Sequence, residues 1–484
     1  MTHSTSRGAR CVLAALALLV AAGTHAGAQA LAARLDAYFT GLSADRAFNG
    51  SVLITDGDRV VYDRSFGMAD YARGTARSDS TRQNVASISK TMTAVAVLQL
   101  RDAGALSLDD PVVKHLPTFP EPRVTVRQLL SHTSGLVDGE VMLDSATRAS
   151  PARAFSNADA LDMLAHYGVA RAFPIPPADR WSYSNLGYQV LALLVERLSG
   201  MSFATYMRAH VFNPAGMNDT YVREAGGEAP MRAVGYTYDN HFAMRLAMID
   251  TVADMKKFTV GLGALVGSTN VISSARDLRA FDHALYSNVL LSPASLAEAF
   301  TPVRLNSGMV NVAVNGSYGL GWFIESDSVR GITVSHSGAA PGVTTFLTRN
   351  LDRKQTVIIL MNIQNPGFRM APVLRMLDGK EVPYRHSAAF AYARDLYEKG
   401  RDVATALLEE HRADTVRYEL DEAEMDRVGL EFSRTSQYQA YSLEAYRLNT
   451  VFFPQSRRAF DNYASALARS DKGRASPVTP PPGR

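Results

Sequence analysis

Residues 86–90 read Ala-Ser-Ile-Ser-Lys and lead directly into an apolar run from residue 92 to residue 100. The run indicates a buried helix that ends at Gly104, in the C′ position. Residues three apart share a helix face, so Ser87 and Lys90 are expected to point the same way. A serine hydroxyl becomes a nucleophile when a base takes its proton, and a lysine in a partly dry site can be that base. Taken alone, Ser-x-x-Lys also fits an N-cap serine beside a surface lysine.

The first thirty residues have the pattern of a secretory signal peptide. Arg7 and Arg10 form a basic n-region, residues 11–22 form an apolar core, and Ala-x-Ala-like cleavage sites follow at 26–30. The apolar segment is too short for a membrane-spanning helix. Cys11 is the only cysteine, so the mature chain is expected to have no disulfide and no thiolate metal site. We therefore expect a periplasmic or secreted bacterial protein with no transmembrane segment after cleavage.

The composition is that of a globular protein of two or three domains. The chain has 484 residues, of which 46% are hydrophobic and 20% charged. Beyond residue 30, 48 basic and 47 acidic residues leave a formal charge of +1. This balance does not indicate nucleic-acid binding. The predicted organisation is a signal peptide at 1–30, a main domain at 31–375, a linker at 376–388, a helical region at 389–470 and a disordered tail at 471–484.

Hydrophobic periodicity predicts helices followed by antiparallel strands in the main domain. A helix at 31–42 precedes a hairpin whose turn is Asp56-Gly57. A capping box at Thr125 opens a short helix that runs into His132, and a single histidine there is more often structural than catalytic. Residues 138–180 and 222–270 give little pattern. Later strands are predicted at 318–324, 332–335, 344–347 and 356–361.

Two further polar motifs lie at fixed places in this pattern. Tyr183-Ser-Asn185 lies in the loop before a helix that Gly200 closes, and His336-Ser-Gly follows the predicted strand 332–335. Loops on rigid elements commonly carry catalytic groups. Each motif is weak alone. Their order is specific, with about a hundred residues between the first two and about a hundred and fifty between the last two.

Together the three motifs resemble the serine β-lactamase and penicillin-binding-protein superfamily. The nearest branch contains the large β-lactamases, D-alanyl-D-alanine carboxypeptidases, and β-lactamase-like esterases and D-aminopeptidases. The resemblance covers roughly residues 35–375 and includes the connecting segments 124–136 and 181–188. It implies an α+β sandwich, with helices on both faces of an antiparallel sheet plus an all-helical domain. It also implies hydrolysis of a small-molecule or peptide substrate through an acyl-enzyme, without metal or cofactor.

The resemblance assigns the chemical roles residue by residue. Ser87 is the expected acylated nucleophile and Lys90 its base partner. Tyr183 is expected to act with Lys90 as the base in acylation and to activate water in deacylation. The backbone N–H groups of Ser87 and Ala339 are expected to form the oxyanion hole.

The resemblance also implies which residues bind the substrate. Asn185 is expected to hold the substrate amide, and His336, Ser337 and Gly338 form the third binding motif. His336 stands where the β-lactamases proper have lysine, and a mostly neutral histidine anchors a carboxylate less firmly. This departure favours esters, amides or D-amino-acid peptides over β-lactams. A second departure is Ala-Asp-Arg at 178–180, where the family often has Pro-Gly.

The region after residue 388 is predicted to be helical. Helices at 438–450 and 456–468, split by Phe453-Pro454, resemble one tetratricopeptide-type hairpin, although a packed helical appendage fits as well. The main alternative is therefore an inactive relative that binds a protein partner through these helices. A metal-dependent hydrolase is disfavoured because no two of the 11 histidines lie within four residues of each other. An α/β-hydrolase is disfavoured because no Gly-x-Ser-x-Gly is present.

Overall fold

A computed structural model of the protein describes residues 27–150, 152–223, 232–240, 245–252, 255, 259–314, 316–365, 368–434 and 436–470. The chain divides into two compact units. The larger comprises residues 48–237 and 247–366, and the smaller comprises residues 1–47, 238–246 and 367–484. Most of the predicted signal peptide, with Cys11, and the predicted disordered tail lie outside the described residues and stay predictions.

The larger unit contains one seven-stranded antiparallel sheet, formed by the strands β1 Gly50–Asp56, β2 Arg59–Phe66, β3 Ser317–Tyr318, β4 Phe323–Asp327, β5 Gly331–Ala340, β6 Val343–Asn350 and β7 Gln355–Met361. Their order across the sheet is β3-β4-β5-β6-β7-β1-β2. The predicted hairpin β1–β2 is present, but its two-residue loop is Gly57-Asp58, because Asp56 is still in β1 and pairs with Arg59. Strand β1 also lies beside the last strand, with Gly50 opposite Met361. With the helices below, this confirms the predicted α+β fold class.

The helices of both units are numbered in chain order, beginning with α1 at residues 27–44. Those of the larger unit are α2 Ser89–Asp102, α3 Val112–His115, α4 Val126–Leu130, α5 Gly139–Ala149, α6 Asn157–Tyr167, α7 Val169–Ala172, α8 Asn185–Ser199, α9 Phe203–Met207, α10 Asn213–Ala215, α11 Ala275–Tyr286 and α12 Pro293–Ala299. Helices α2 and α8 pack together in the main hydrophobic core. Within the described residues no single helix is long and apolar enough to span a membrane; only α8 together with 203–215, bent by 79°, has the length and composition.

Two predictions about the later strands are wrong in detail. The stretch 318–324 is two strands rather than one, because the chain turns between β3 and β4 at Gly321, whose φ is +90°. Strand β5 continues to Ala340, so His336-Ser-Gly lies inside the strand rather than after its end. Strand β4 pairs with β5 only as far as Ser335, and the helical turn at 86–88 contacts β5.

The smaller unit is mainly helical and includes both the first and the last helices described. Arg34 of α1 forms an ion pair with Glu381 at 2.9 Å, and the Tyr38 and Tyr384 rings lie 5.9 Å apart. Its later helices are α13 Ala371–Leu377, α14 Ala388–Lys399, α15 Arg401–Ala413, α16 Glu422–Ser433, α17 Gln439–Phe452 and α18 Arg457–Ser470. Helices α17 and α18 are adjacent and break at Phe453-Pro454, as predicted. The predicted domain boundaries and the tetratricopeptide likeness stay predictions.

Candidate active site

Ser87 and Lys90 meet at the start of α2. Ser87 lies in a single 3₁₀ turn, Ala86–Ile88, and Lys90 lies in the first turn of the helix with no exposed surface. Lys90 Nζ is 3.0 Å from Ser87 Oγ. The turn is held in an unusual conformation: Ala86 has a φ of +49° and its N–H donates to Asn84 Oδ1 at 2.8 Å. The Ser-x-x-Lys spacing therefore does bring the two side chains together.

Lys90 is surrounded by oxygen atoms. Besides Ser87, its Nζ lies 2.7 Å from Asn185 Oδ1 and 2.9 Å from the Ser268 carbonyl. The Asn185 Nδ2 faces Asp138 Oδ2 at 3.3 Å, which directs the amide oxygen towards the lysine. Both oxygens can only accept hydrogen bonds. A neutral Lys90 can therefore place two N–H groups on them and turn its lone pair towards Ser87.

Tyr183 completes the contacts of the serine. Its hydroxyl donates to Ser87 Oγ at 2.9 Å, and its ring lies 4.9 Å from Lys90 Nζ. Ser184 caps α8 by accepting from Gly187 N–H at 3.2 Å, so Tyr183 lies just before the helix. Asn185 is the first residue of that helix rather than part of the loop.

The His336 ring is buried and turned away from solvent. Its Nδ1 lies 2.7 Å from the Ser337 carbonyl, so Nδ1 is the donor and Nε2 accepts from the Tyr318 hydroxyl at 3.0 Å. Burial, followed by the charge of Lys90, lowers the pKa of His336 to about 3. The ring is therefore neutral and offers no cation at this position. The contact of His336 with the substrate stays a prediction. Its side chain is only 1% exposed, which argues against a direct contact.

The other two residues of the third motif lie on the same strand. Along β5, Ser337 is half-buried and Ala339 is exposed, whereas Gly338, which lies between them, is buried. A Cβ on Gly338 would lie 2.7 Å from the Val85 carbonyl oxygen and 2.9 Å from Ala86 Cβ. Strand β5 therefore approaches the turn of Ser87 more closely than any side chain allows. The predicted oxyanion role of the Ala339 N–H stays a prediction.

Two residues beside the site were not among the predicted site residues. Asp138 accepts from the Asn185 backbone N–H at 3.2 Å as well as facing its side chain. His132, expected to be structural, lies with its ring centroid 4.3 Å from that of Tyr183. The histidine was visible in the sequence as a polar residue at a helix end. Asp138 lies at the start of a segment without periodicity, so no sequence signal marked it.

The segment that leads into Tyr183 contains a residue in the left-handed region. Ala178 has a φ of +62°, a conformation that glycine adopts more readily, at the place where the sequence departs from Pro-Gly. Its N–H donates to the Thr133 carbonyl at 2.7 Å. In the described part of the chain, no group of three or more His, Cys, Asp or Glu side chains is arranged to hold a metal ion.

Comparison with known proteins identifies the fold and the family. The sequence profile described as Beta-lactamase matches residues 35–378. The chain is 34% identical over 404 residues to penicillin-binding protein 4* of Bacillus subtilis, covering 82% of this chain and 87% of that protein. It is 36% identical over 205 residues to esterase EstB of Burkholderia gladioli, covering 40% of this chain and 52% of the esterase.

A solved structure shows the same architecture. The penicillin-binding protein from Bacillus halodurans superposes with a TM-score of 0.60 at 26% identity, covering 70% of this chain and 98% of that one. The profile match extends over most of the chain, and the antiparallel sheet with its helices agrees with it. The chain therefore belongs to the beta-lactamase family of serine hydrolases.

Proposed function

We propose that this protein hydrolyses an ester, amide or D-amino-acid peptide bond through an acyl-enzyme on Ser87. The observation that carries the proposal is the pair of contacts at one atom: Ser87 Oγ is 3.0 Å from Lys90 Nζ and 2.9 Å from the Tyr183 hydroxyl. A nucleophile with a base within hydrogen-bond reach, itself oriented by further groups, is the arrangement that activates serine. Here the orienting groups are Asn185 and the Ser268 carbonyl.

The reaction has two halves that share the same groups. In acylation, Ser87 Oγ attacks the carbonyl carbon while Lys90, acting with Tyr183, takes the hydroxyl proton. The bond to the leaving group breaks, and that proton passes to the departing alcohol or amine. In deacylation, Tyr183 in its phenolate form takes a proton from water, and the resulting hydroxide attacks the ester carbonyl. The bond between the carbonyl carbon and Ser87 Oγ then breaks, the same proton passes from Tyr183 to Ser87 Oγ, and the acid leaves. No metal or cofactor enters either half.

The substrate class follows from the charge available in the site. A neutral, buried His336 supplies no cation for a substrate carboxylate, so substrates that need such an anchor are disfavoured. We therefore propose esters, amides or D-amino-acid peptides as substrates in preference to β-lactams. The esterase among the relatives supports the first of these classes. Secretion to the periplasm or the cell exterior belongs to the same proposal, on the signal-like first thirty residues.

The test is covalent trapping at Ser87. The mature protein is incubated with p-nitrophenyl butyrate, a chromogenic cephalosporin and a D-alanyl peptide, and intact mass reports the acyl adduct. The adduct and the turnover are expected with the native protein and absent from Ser87→Ala. Ser182→Ala is the matched control, because the structure records no hydrogen bond from that nearby, half-buried side chain to the described residues. A folded native protein with neither an adduct nor turnover on any of the three substrates would contradict the proposal and favour a binding role.

A further inference from the structure

We propose that His132 is a positioning residue for Tyr183. It accepts hydrogen bonds from the backbone N–H groups of the residues on either side of the tyrosine. The inference rests on the proposed function, because it concerns how the hydroxyl of Tyr183 is kept on Ser87. Its basis is a set of contacts that all converge on one buried residue. His132 is 1% exposed and lies at the exit of α4, distant in sequence from the tyrosine.

The residues before and after Tyr183 both bond to His132. The N–H of Ser182 donates to the His132 carbonyl at 2.7 Å, and the N–H of Ser184 donates to His132 Nδ1 at 3.1 Å. Between these two bonds, the His132 ring lies against the Tyr183 ring, with centroids 4.3 Å apart and planes 34° apart. The phenol is therefore fixed at its two backbone neighbours and on one ring face.

The chemistry of these contacts requires a neutral imidazole. Nδ1 accepts a backbone N–H, so the ring proton is on Nε2. Burial, followed by the charge of Lys90, lowers the pKa of His132, which keeps Nδ1 unprotonated. A protonated ring would place a donor against the Ser184 N–H and lose this bond. The φ of +56° at His132 allows its carbonyl and its ring to serve the same short segment.

Three substitutions separate these contributions. Asparagine tolerates positive φ and places its amide oxygen near the position of Nδ1, so His132→Asn keeps the acceptor for Ser184. Glutamine reaches the position of Nε2 instead, so His132→Gln loses that acceptor. His132→Phe keeps a ring against Tyr183 but has no acceptor. Asparagine and glutamine differ by one methylene. Glutamine is also more strained at a φ of +56°, and the melting temperature reports that strain separately from the lost hydrogen bond.

The experiment measures p-nitrophenyl butyrate hydrolysis by each full-length variant across pH, with the melting temperature as a check on folding. His132→Asn is expected to keep kcat within about threefold of the native value, because the acceptor is retained. In His132→Gln and His132→Phe, kcat is expected to fall roughly 10- to 100-fold with little change in KM, since the hydroxyl is misplaced. The acid limb of the pH profile of kcat/KM reports the ionisation of the catalytic base, Lys90 with Tyr183, in the free enzyme. We expect this limb to move along the pH axis in His132→Gln and His132→Phe only.

Two results would overturn the inference. One is an equal loss in all three variants that follows the melting temperature and leaves the pH profile unmoved, because that describes a purely structural histidine. The other is native kcat in His132→Gln. Turnover that persists in Ser87→Ala would instead overturn the proposed function, and this inference with it. If kcat is unchanged in all three His132 variants while turnover still depends on Ser87, only this inference is overturned and the proposed function stands.

Discussion

Replacing Gly338 by alanine adds a methyl group where β5 lies against the turn that carries Ser87. The new Cβ would lie 2.4 Å from Thr345 Oγ1, 2.7 Å from the Val85 carbonyl oxygen and 2.9 Å from Ala86 Cβ. Two of these three atoms belong to the segment that leads into Ser87. Because Ala86 already has a φ of +49°, the turn has little freedom to yield.

The expected size of the effect follows from these distances. To regain the 3.4 Å of an ordinary contact, β5 and Val85 must separate by roughly 0.7 Å. The bond from Thr345 Oγ1 to the Val85 carbonyl, 2.9 Å long, lies in the same gap and would be stretched. Overpacking and this weakened bond together are expected to lower the free energy of unfolding by about 2–4 kcal/mol. A displacement approaching 1 Å at the nucleophile is expected to lower kcat/KM about 100-fold.

Chemical denaturation measures the first quantity, and ester turnover per folded protein measures the second. Gly187→Ala is the matched control, since the same methyl group in α8 would meet its nearest neighbour, Leu129 Cδ2, at 3.6 Å. The control is expected to keep native turnover and to gain up to about 1 kcal/mol, as alanine favours helices. Native stability and native turnover in Gly338→Ala would refute the close approach of strand and turn.

Three other predictions concern single side chains. Tyr183→Phe is expected to lower kcat about 10²- to 10⁴-fold without changing the melting temperature, as steady-state kinetics and calorimetry would show; unchanged kcat would exclude the phenol from the chemistry. His336 has a pKa of about 3 when folded and 6.5 as its ordinary value, so the unfolded chain takes up this proton first as pH falls. Stability is therefore expected to be lost between pH 6.5 and 3, and in His336→Gln the slope of unfolding free energy with pH should be shallower by up to about 1.4 kcal/mol per pH unit; an identical slope would contradict the burial argument. Asp282→Ala leaves the buried Arg349 unpaired and is expected to cost about 3–5 kcal/mol in denaturation experiments, with native turnover in the folded fraction; a cost below about 1 kcal/mol would count against it.

The sequence predicted best the features that depend on neighbouring residues. The contact of Ser87 with Lys90 follows from helical spacing alone, and the Thr125 capping box forms with both of its hydrogen bonds. The β1–β2 hairpin is likewise local, although its loop is Gly57-Asp58, one residue later than predicted. The meeting of Tyr183 with Ser87 needed the family resemblance, because 96 residues separate them and no periodicity connects two such distant points.

What the sequence missed depends on tertiary contacts. The turn at Gly321 interrupts a stretch with strand composition, because the chain there passes close to Ala94 of α2, 2.7 Å from where a Cβ would be. The burial of His336 depends on the Tyr318 hydroxyl, which reaches it across the sheet from another strand. Asp138 meets Asn185 only after α8 is in place. None of these partners lies within a window that periodicity can cover.

The pairing of β1 with β7 has a consequence for how the protein is made. Gly50 pairs with Met361, so one edge of β1 stays unpaired until β7 is synthesised, roughly 300 residues later. At ordinary rates of synthesis this takes roughly 15–60 seconds, during which β1, with Val52, Leu53 and Ile54, is paired with β2 alone. Such an edge pairs readily with other chains. Production of the protein is therefore expected to depend on chaperones that cover nascent chains.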